Sequence, residues 1–257
     1  MDRAMPRTGG RTRGPLRTAG LIGLVACTGL AAPAPAQEIP PADRLTFERL
    51  ADGVWMHTSW TTYGGVPLPS NGLIVQEGDG LVLIDTAWGA DLTRTLLAWI
   101  DTEIGLPVVR AYATHFHDDR LIGSPVLAER GIPFYALPLT IELAADQGVP
   151  LPRPLPALRA GEAHTAGAVE IFFPGGAHTR DNITVWVPSA RLLFGGCAVR
   201  PADTDSPGNT ADADVEAWPR SIARLEARYP EAALVVPSHG PPGGVELLAH
   251  TRAIFGR

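Results

Sequence analysis

Thr114-His115-Phe116-His117-Asp118-Asp119-Arg120 follows the largely apolar run Pro107 to Thr114 and sets two imidazoles and a carboxylate at alternate positions. Residues two apart in an extended segment project to the same side, so His115, His117 and Asp119 can aim at a common point. Neutral imidazole and ionised carboxylate are, with thiolate, the donors that zinc accepts. A lone His-x-His-x-Asp is only moderately specific, because neighbouring histidines are often unrelated surface residues. The remainder of the chain decides between these readings.

Three further candidate ligands lie downstream. His178 sits in Gly175-Gly176-Ala177-His178-Thr179-Arg180-Asp181-Asn182, Cys197 ends Leu192-Leu193-Phe194-Gly195-Gly196-Cys197, and His239 follows Leu234-Val235-Val236-Pro237-Ser238. Each stands at or just beyond a strand-like run, where loops along a sheet edge can bring distant residues together. Singly, His178 could cap a turn, Cys197 could fill a small apolar site, and His239 could bond locally. Six donors exceed what one tetrahedral zinc with an open position uses. They divide into three neutral imidazoles (His115, His117, His178) and a more charged set (Asp119, Cys197, His239). Two metals about 3.5–4 Å apart can share a bridging hydroxide, which points to metal-assisted hydrolysis.

His115-x-His117-x-Asp119-Arg120, Gly176-Ala177-His178-Thr179-x-Asp181-Asn182, Gly195-Gly196-Cys197 and Ser238-His239-Gly240 together resemble the metallo-β-lactamases. Within them the chain is similar to the first subclass of class B, the di-zinc enzymes with a cysteine ligand. Pro69-Ser70-Asn71-Gly72-Leu73-Ile74-Val75, Asp85-Thr86-Ala87-Trp88-Gly89 and Ala211-Asp212-Ala213-Asp214 look like the VIM-type carbapenemases. The resemblance runs from about Gly53 to the C-terminus. Thioesterases and lactonases of the wider superfamily read His-x-His-x-Asp-His and lack Gly-Gly-Cys; here Arg120 replaces the extra histidine. The resemblance implies a four-layer αββα sandwich, an α/β fold in one domain. It also implies two zinc ions and hydrolysis of the amide bond of penicillins, cephalosporins and carbapenems, hence antibiotic resistance. A bridging hydroxide attacks the carbonyl while the second zinc stabilises the leaving nitrogen, with Asp119 and Asn209 in catalytic positions.

Further roles follow from the same resemblance. Arg200 matches the cation that grips the substrate carboxylate, where many relatives carry lysine; all 21 basic residues of this chain are arginine. A guanidinium can hold a carboxylate bidentately; the alternative is an ordinary surface arginine. Asn209 matches the asparagine that polarises the attacked carbonyl, or else is a turn residue of Ser206-Pro207-Gly208-Asn209. Asp85 matches a carboxylate that stands behind the ligands and orients one of them; Arg120 reads as standing behind them too, paired with the acidic set near Cys197, or else as a plain surface ion pair. Trp60 to Leu68 aligns with a mobile loop over the substrate, to which Trp60, Tyr63 and Val66 lend apolar surface; a simple hairpin connection is the alternative. Trp88 reads as packing beneath the site, Trp99 and Trp218 as core, and His57, His164 and His250 as structural or surface histidines. Rival readings are another hydrolase of this fold, acting on a thioester or lactone, and a non-catalytic zinc-binding periplasmic protein.

Residues 1–36 read as an export signal: Arg3, Arg7, Arg11, Arg13 and Arg17 precede the apolar run Ala19 to Ala32, and Ala34-Pro35-Ala36 offers a cleavage site. A domain over 37–257 remains, in a soluble periplasmic protein. Leu24-Val25-Ala26-Cys27 also resembles a lipobox, which would make it an outer-membrane lipoprotein. Cleavage at 36 leaves Cys197 as the lone cysteine, and metal coordination would protect its thiolate from oxidation. The net charge of −6 includes +4 from the leader, giving about −10 for the mature chain and no basic patch for nucleic acid. A small-molecule β-lactam and a monomeric state are the expectations. Within 37–257 the pattern predicts a hairpin at Leu73 to Gln76 and Leu81 to Ile84, and a helix around Leu92 to Ile100. Helices are also expected near Ile122 to Arg130, Leu139 to Gln147 and Asp214 to Arg228, and from Val245. Strands are expected at Val169 to Phe173, Ile183 to Val187, Arg191 to Phe194 and Ala233 to Val236.

Overall fold

Strands of the central layers carry apolar residues on both faces, which places them between other layers rather than at a water-exposed surface. The computed structural model describes residues 44–256, so the export signal, its cleavage site and Cys27 lie outside the described residues. β1 (Leu45–Ala51), β2 (Val54–Tyr63), β3 (Val66–Glu77) and β4 (Gly80–Ile84) form an antiparallel meander. β5 (Val108–Tyr112), β6 (Phe134–Ala136) and the two-residue β7 (Arg153–Pro154) add in parallel, giving a seven-stranded sheet in chain order. A parallel step needs a crossover, and α1 (Ala90–Trp99) supplies it between β4 and β5. The second sheet has five strands in the order β12-β11-β10-β9-β8: β8 (Glu162–Ala166), β9 (Val169–Phe173), β10 (Thr184–Val187), β11 (Leu192–Gly196) and β12 (Leu234–Pro237).

Alternation along these strands sorts the core into three interfaces. Leu73, Val75, Val82 and Ile84 face Ile171, Val185, Phe194 and Val236 between the sheets. Their neighbours Ile74, Leu81 and Leu83 turn outward onto Leu96 and Leu97 of α1 and Val126 and Leu127 of α3 (Ser124–Glu129). Leu193 and Val235 turn outward onto Trp218, Ile222 and Leu225 of α5 (Trp218–Arg228) and Leu248 of α6 (Glu246–Ile254). Helix, sheet, sheet, helix is the four-layer αββα sandwich that the resemblance implies.

Several expectations differ in detail. β1, β6 and β8 were not foreseen, because they are short or half-polar and carry only a weak period-2 signal. The helix expected from Asp214 begins at Trp218, with Pro219 in its first turn, the place where a missing N–H costs nothing. The helices expected near 122–130 and 139–147 shorten to α3 and α4 (Pro138–Leu143). Trp60 to Leu68 is not an open loop: Trp60 pairs with Pro69 and Tyr63 with Val66 in an unbroken hairpin. Gly64 (φ 58°) and Gly65 (φ 84°) make its two-residue turn, with the left-handed geometry that matches strand twist.

Candidate metal centre

β5 ends at Tyr112, and the chain then bends rather than remaining extended, entering α2 (Asp118–Leu121) two residues after Phe116. Convergence of His115, His117 and Asp119 therefore comes from a bend and a helical turn, not from strand alternation. Asp85, at the end of β4, sets the bend's origin: its buried carboxylate accepts from the Thr114 amide (2.7 Å) and hydroxyl (2.9 Å). Asp85 has φ 62°, a conformation uncommon for a residue with a side chain. From the second sheet, β11 brings Cys197 past Gly196 (φ 58°), while a Cβ on Gly195 would lie 2.3 Å from Val199. His239 follows β12, whose end is tied to β3 because the Asn71 side-chain amide donates to the carbonyls of Pro237 and Gly240, both at 2.8 Å.

All six predicted donors meet at this edge. Ligand atoms of His115, His117 and Asp119 lie within 4.8 Å of one another, as do those of Asp119, Cys197 and His239, and of His115, His178 and Cys197. His117 Nδ1 is 3.1 Å from His178 Nε2, close to the roughly 3.3 Å between two nitrogens on one tetrahedral zinc with Zn–N bonds of about 2.05 Å. Cys197 Sγ lies 3.4 Å from His239 Nε2, which is 3.5 Å from Asp119 Oδ2. His115 Nε2 and His178 Nδ1 are buried without a hydrogen-bond partner. An unpaired buried polar atom costs about 1–3 kcal/mol, so the donor chemistry, the spacing and the orphaned His115 Nε2 fit a metal.

The surrounding groups hold the donors in the required state. Burial, then the neighbouring histidines, keeps His115 neutral, well below its usual titration range. Burial likewise depresses His178 to about 3. Burial is the largest influence on Asp119 and Cys197 and works against ionising them, but Arg120 and His239, joined at Asp119 by His117 and His178, together hold both below their ordinary values. Arg120 is itself fully buried: Nη2 meets Asp119 Oδ2 (2.6 Å) and Cys197 Sγ (3.5 Å), and Nη1 meets Asn71 O (2.7 Å) and Asp85 Oδ2 (3.2 Å). Burial lifts Asp85 to about 6 despite that cation and the two Thr114 donors. His239 Nδ1 donates to Pro69 O, which frees Nε2 for the cluster. His117 Nε2 is set by Asp212 Oδ2 at 3.1 Å.

A groove of about 340 Å³ opens over this cluster, walled by Tyr63, Leu68, Trp88, Gln147, Asn209 and Asp212. Of the predicted substrate contacts, Tyr63 and Asn209 line it. Trp60 instead lines a separate cavity with Arg44 on the other side of Trp88, and Val66 stands exposed at the hairpin tip. Arg200 is not among the lining residues: its Nε donates to Ser206 O (3.1 Å), and a Cβ on Gly208 would sit 3.2 Å from the guanidinium. Asn209 Oδ1 accepts from the Ala211 amide, a turn bond. Trp88, expected beneath the site, is half-buried and walls the groove, its ring 6.4 Å from that of His239. Gln147 and Asp212 escaped sequence reasoning. Asp212 had a signal in Ala211-Asp212-Ala213-Asp214, but nothing local tied it to His117. His57 is fully buried, whereas Trp99 is only half-buried and stacks on Phe47 with ring centroids 3.8 Å apart.

Comparison with known proteins follows the same lines. The family model described as the metallo-beta-lactamase superfamily matches residues 65–239. Metallo-beta-lactamase type 2 of Bacillus cereus is 40% identical over 209 residues, covering 80% of this chain and 81% of that protein. The Bacteroides fragilis protein of the same name is 34% identical over 214 residues, covering 83% and 86%. Among solved structures, a metallo-beta-lactamase from Pontibacter korlensis superposes with TM-score 0.78 at 43% identity, covering 83% of this chain and 99% of that one. FIM-1 from Pseudomonas aeruginosa, in a mono-zinc form, gives TM-score 0.79 at 37% identity, covering 82% and 95%.

Proposed function

The chain belongs to the metallo-beta-lactamase superfamily, and from that premise we infer that it is a metal-dependent hydrolase opening the amide bond of β-lactams, penicillins, cephalosporins and carbapenems included. The observation that carries this reading is the meeting of six donors beneath one open groove, with the buried His115 Nε2 left unpaired. His115, His117 and His178 would hold one zinc, and Asp119, Cys197 and His239 a second. Bound there, zinc supplies a nucleophile at neutral pH by acidifying water, and a Lewis acid for the charge that develops on substrate oxygen and nitrogen.

The chain's own groups do the remainder. Against the burial of both groups, Arg120 with the neighbouring imidazoles favours the ionised forms of Asp119 and Cys197, and Asp212 and the Pro69 carbonyl orient the rings of His117 and His239. Asn209 walls the groove where its amide can meet the attacked carbonyl once the Ala211 turn bond is exchanged. Burial lowers Arg200 from its ordinary value, and the charges of Cys197 and Asp203 oppose that shift in part. Ser206 engages its Nε, leaving the two terminal nitrogens for the ring carboxylate. Trp88 and Tyr63 supply apolar walls that hold the bicycle and exclude water. Likeness to the VIM-type enzymes rests on local phrases and supports a carbapenem among the substrates. A leader over 1–36 and export to the periplasm complete the proposal.

Hydrolysis of a carbapenem by the purified protein, followed after chelation and again after zinc is restored, tests the reading. Turnover lost with chelator and regained with zinc supports it, and metal analysis of the active form gives the number of ions. A protein that binds zinc yet leaves carbapenems, penicillins and cephalosporins intact would be another hydrolase of this fold, with thioesters and lactones as the substrates to try.

A further inference from the structure

Arg180 stands two residues after His178, on a turn pinned by Asn182, whose Oδ1 accepts from the Thr179 amide (2.8 Å) and hydroxyl (3.1 Å). Its side chain is exposed and has no ion pair or hydrogen bond among the described residues. With Phe116, Leu143, Ala211, Asp212 and Ala213 it lines a cavity of about 230 Å³. Phe116 and Asp212 also line the groove over the metal centre, so the two spaces share walls. The groove itself is lined by the carboxylates of Asp118, Asp119 and Asp212 and by no arginine. An anionic group that reaches past the metal centre therefore meets a guanidinium in the adjoining cavity and not in the groove itself.

We propose that Arg180 and this side cavity form a subsite for an anionic group on the β-lactam's acyl side chain. Leu143, Phe116 and the two alanines offer apolar contact to the carbons of such a chain, and the guanidinium offers a planar two-point match to its carboxylate. Asp212 shares the cavity wall, but its carboxylate contacts His117 at 3.1 Å and makes no ion pair with Arg180 among the described residues. Anchoring of the turn at Asn182 holds the Arg180 backbone while leaving the side chain free to reach the ligand. The subsite rests on the β-lactamase reading.

The test compares benzylpenicillin with its α-carboxybenzyl analogue, which differs by one carboxylate. In Arg180→Ala, KM for the carboxylated penicillin rises about fivefold, the effect of one ion pair at a solvent edge, while benzylpenicillin stays within about twofold. Arg180→Lys recovers part of the difference, and salt near 1 M, where the screening length falls to about 3 Å, abolishes it in the unmodified protein. Equal changes for both penicillins, or none for either, overturn the subsite while leaving β-lactam hydrolysis intact. Failure of the zinc-loaded unmodified protein to open benzylpenicillin overturns the parent reading, and the subsite with it.

Discussion

At the scale of single residues, Arg120 is the side chain on which most of the centre depends. It is wholly buried, yet its two terminal nitrogens face two carboxylates, a thiolate and a carbonyl that together compensate its charge. Removing one partner of such a network strands the others as uncompensated charge. Arg120→Leu should therefore lower unfolding free energy by about 3–5 kcal/mol, read from the denaturant midpoint at unchanged slope. A loss under about 1 kcal/mol would mean that the network carries little. Cys197→Ser tests a narrower point. The hydroxyl fits the space but remains protonated where the thiol ionises, so the Asp119–His239 set loses an anionic ligand. The expected result is one zinc lost per protein by elemental analysis, kcat/KM reduced roughly 100-fold, and the fold intact by circular dichroism. Two retained zincs with full activity would remove Cys197 from the ligand set.

At the scale of elements, the β2–β3 hairpin is paired to its tip, so any movement over the groove is that of a whole ribbon rather than of a slack loop. Tyr63 and Val66 are each 64% exposed at that tip and contribute little to packing. Their loss should therefore affect binding alone. Tyr63→Ala is expected to raise KM several-fold for penicillins with apolar side chains, by roughly 1 kcal/mol of lost contact, with kcat and melting temperature nearly unchanged. A fall in kcat with KM constant would instead give the tip a role in the chemical step. β3 also carries Pro69, Ser70 and Asn71, which touch His239, Asp119 and the end of β12. The same strand thus carries the tip whose neighbour Tyr63 lines the groove at one end and braces the donor cluster nearer its middle.

For the whole molecule, the αββα layering decides what is buried, and burial decides the response to acid. His57 lies at 0% exposure against Gly72 of β3, and burial followed by the Arg120 charge depresses it to about 4, although the Ile84 and Asp85 backbone opposes the shift. Below its ordinary value of 6.5 the unfolded chain takes a proton that the folded chain refuses, so stability falls as pH falls from 6.5 towards 4 and levels off beneath that. In the metal-free protein His57 should contribute about 1.4 kcal/mol per pH unit to that decline. Denaturant melts of His57→Leu and the parent from pH 7 to 4 check this: the variant should lose about one proton's worth of slope, and parallel curves would contradict it. The chemistry of the centre was legible in the chain because ligand identity is a property of side chains: His115, His117, Asp119, His178, Cys197 and His239 are donors wherever they lie, and the strand-like runs before them announced layered sheets. Short, half-polar β1, β6 and β8 were not legible, since their pairing partners rather than their own pattern make them strands. Other features were decided only by folding: the bend after β5 that gathers the first three ligands, the commitment of Arg200 to Ser206, the half-buried position of Trp88 at the groove wall, and the meeting of Asp212 with His117 95 residues away. The physical reason is range: donor strength and local period are written in neighbouring residues, whereas which side chain faces a groove depends on how two sheets, joined through Asn71, meet at one edge.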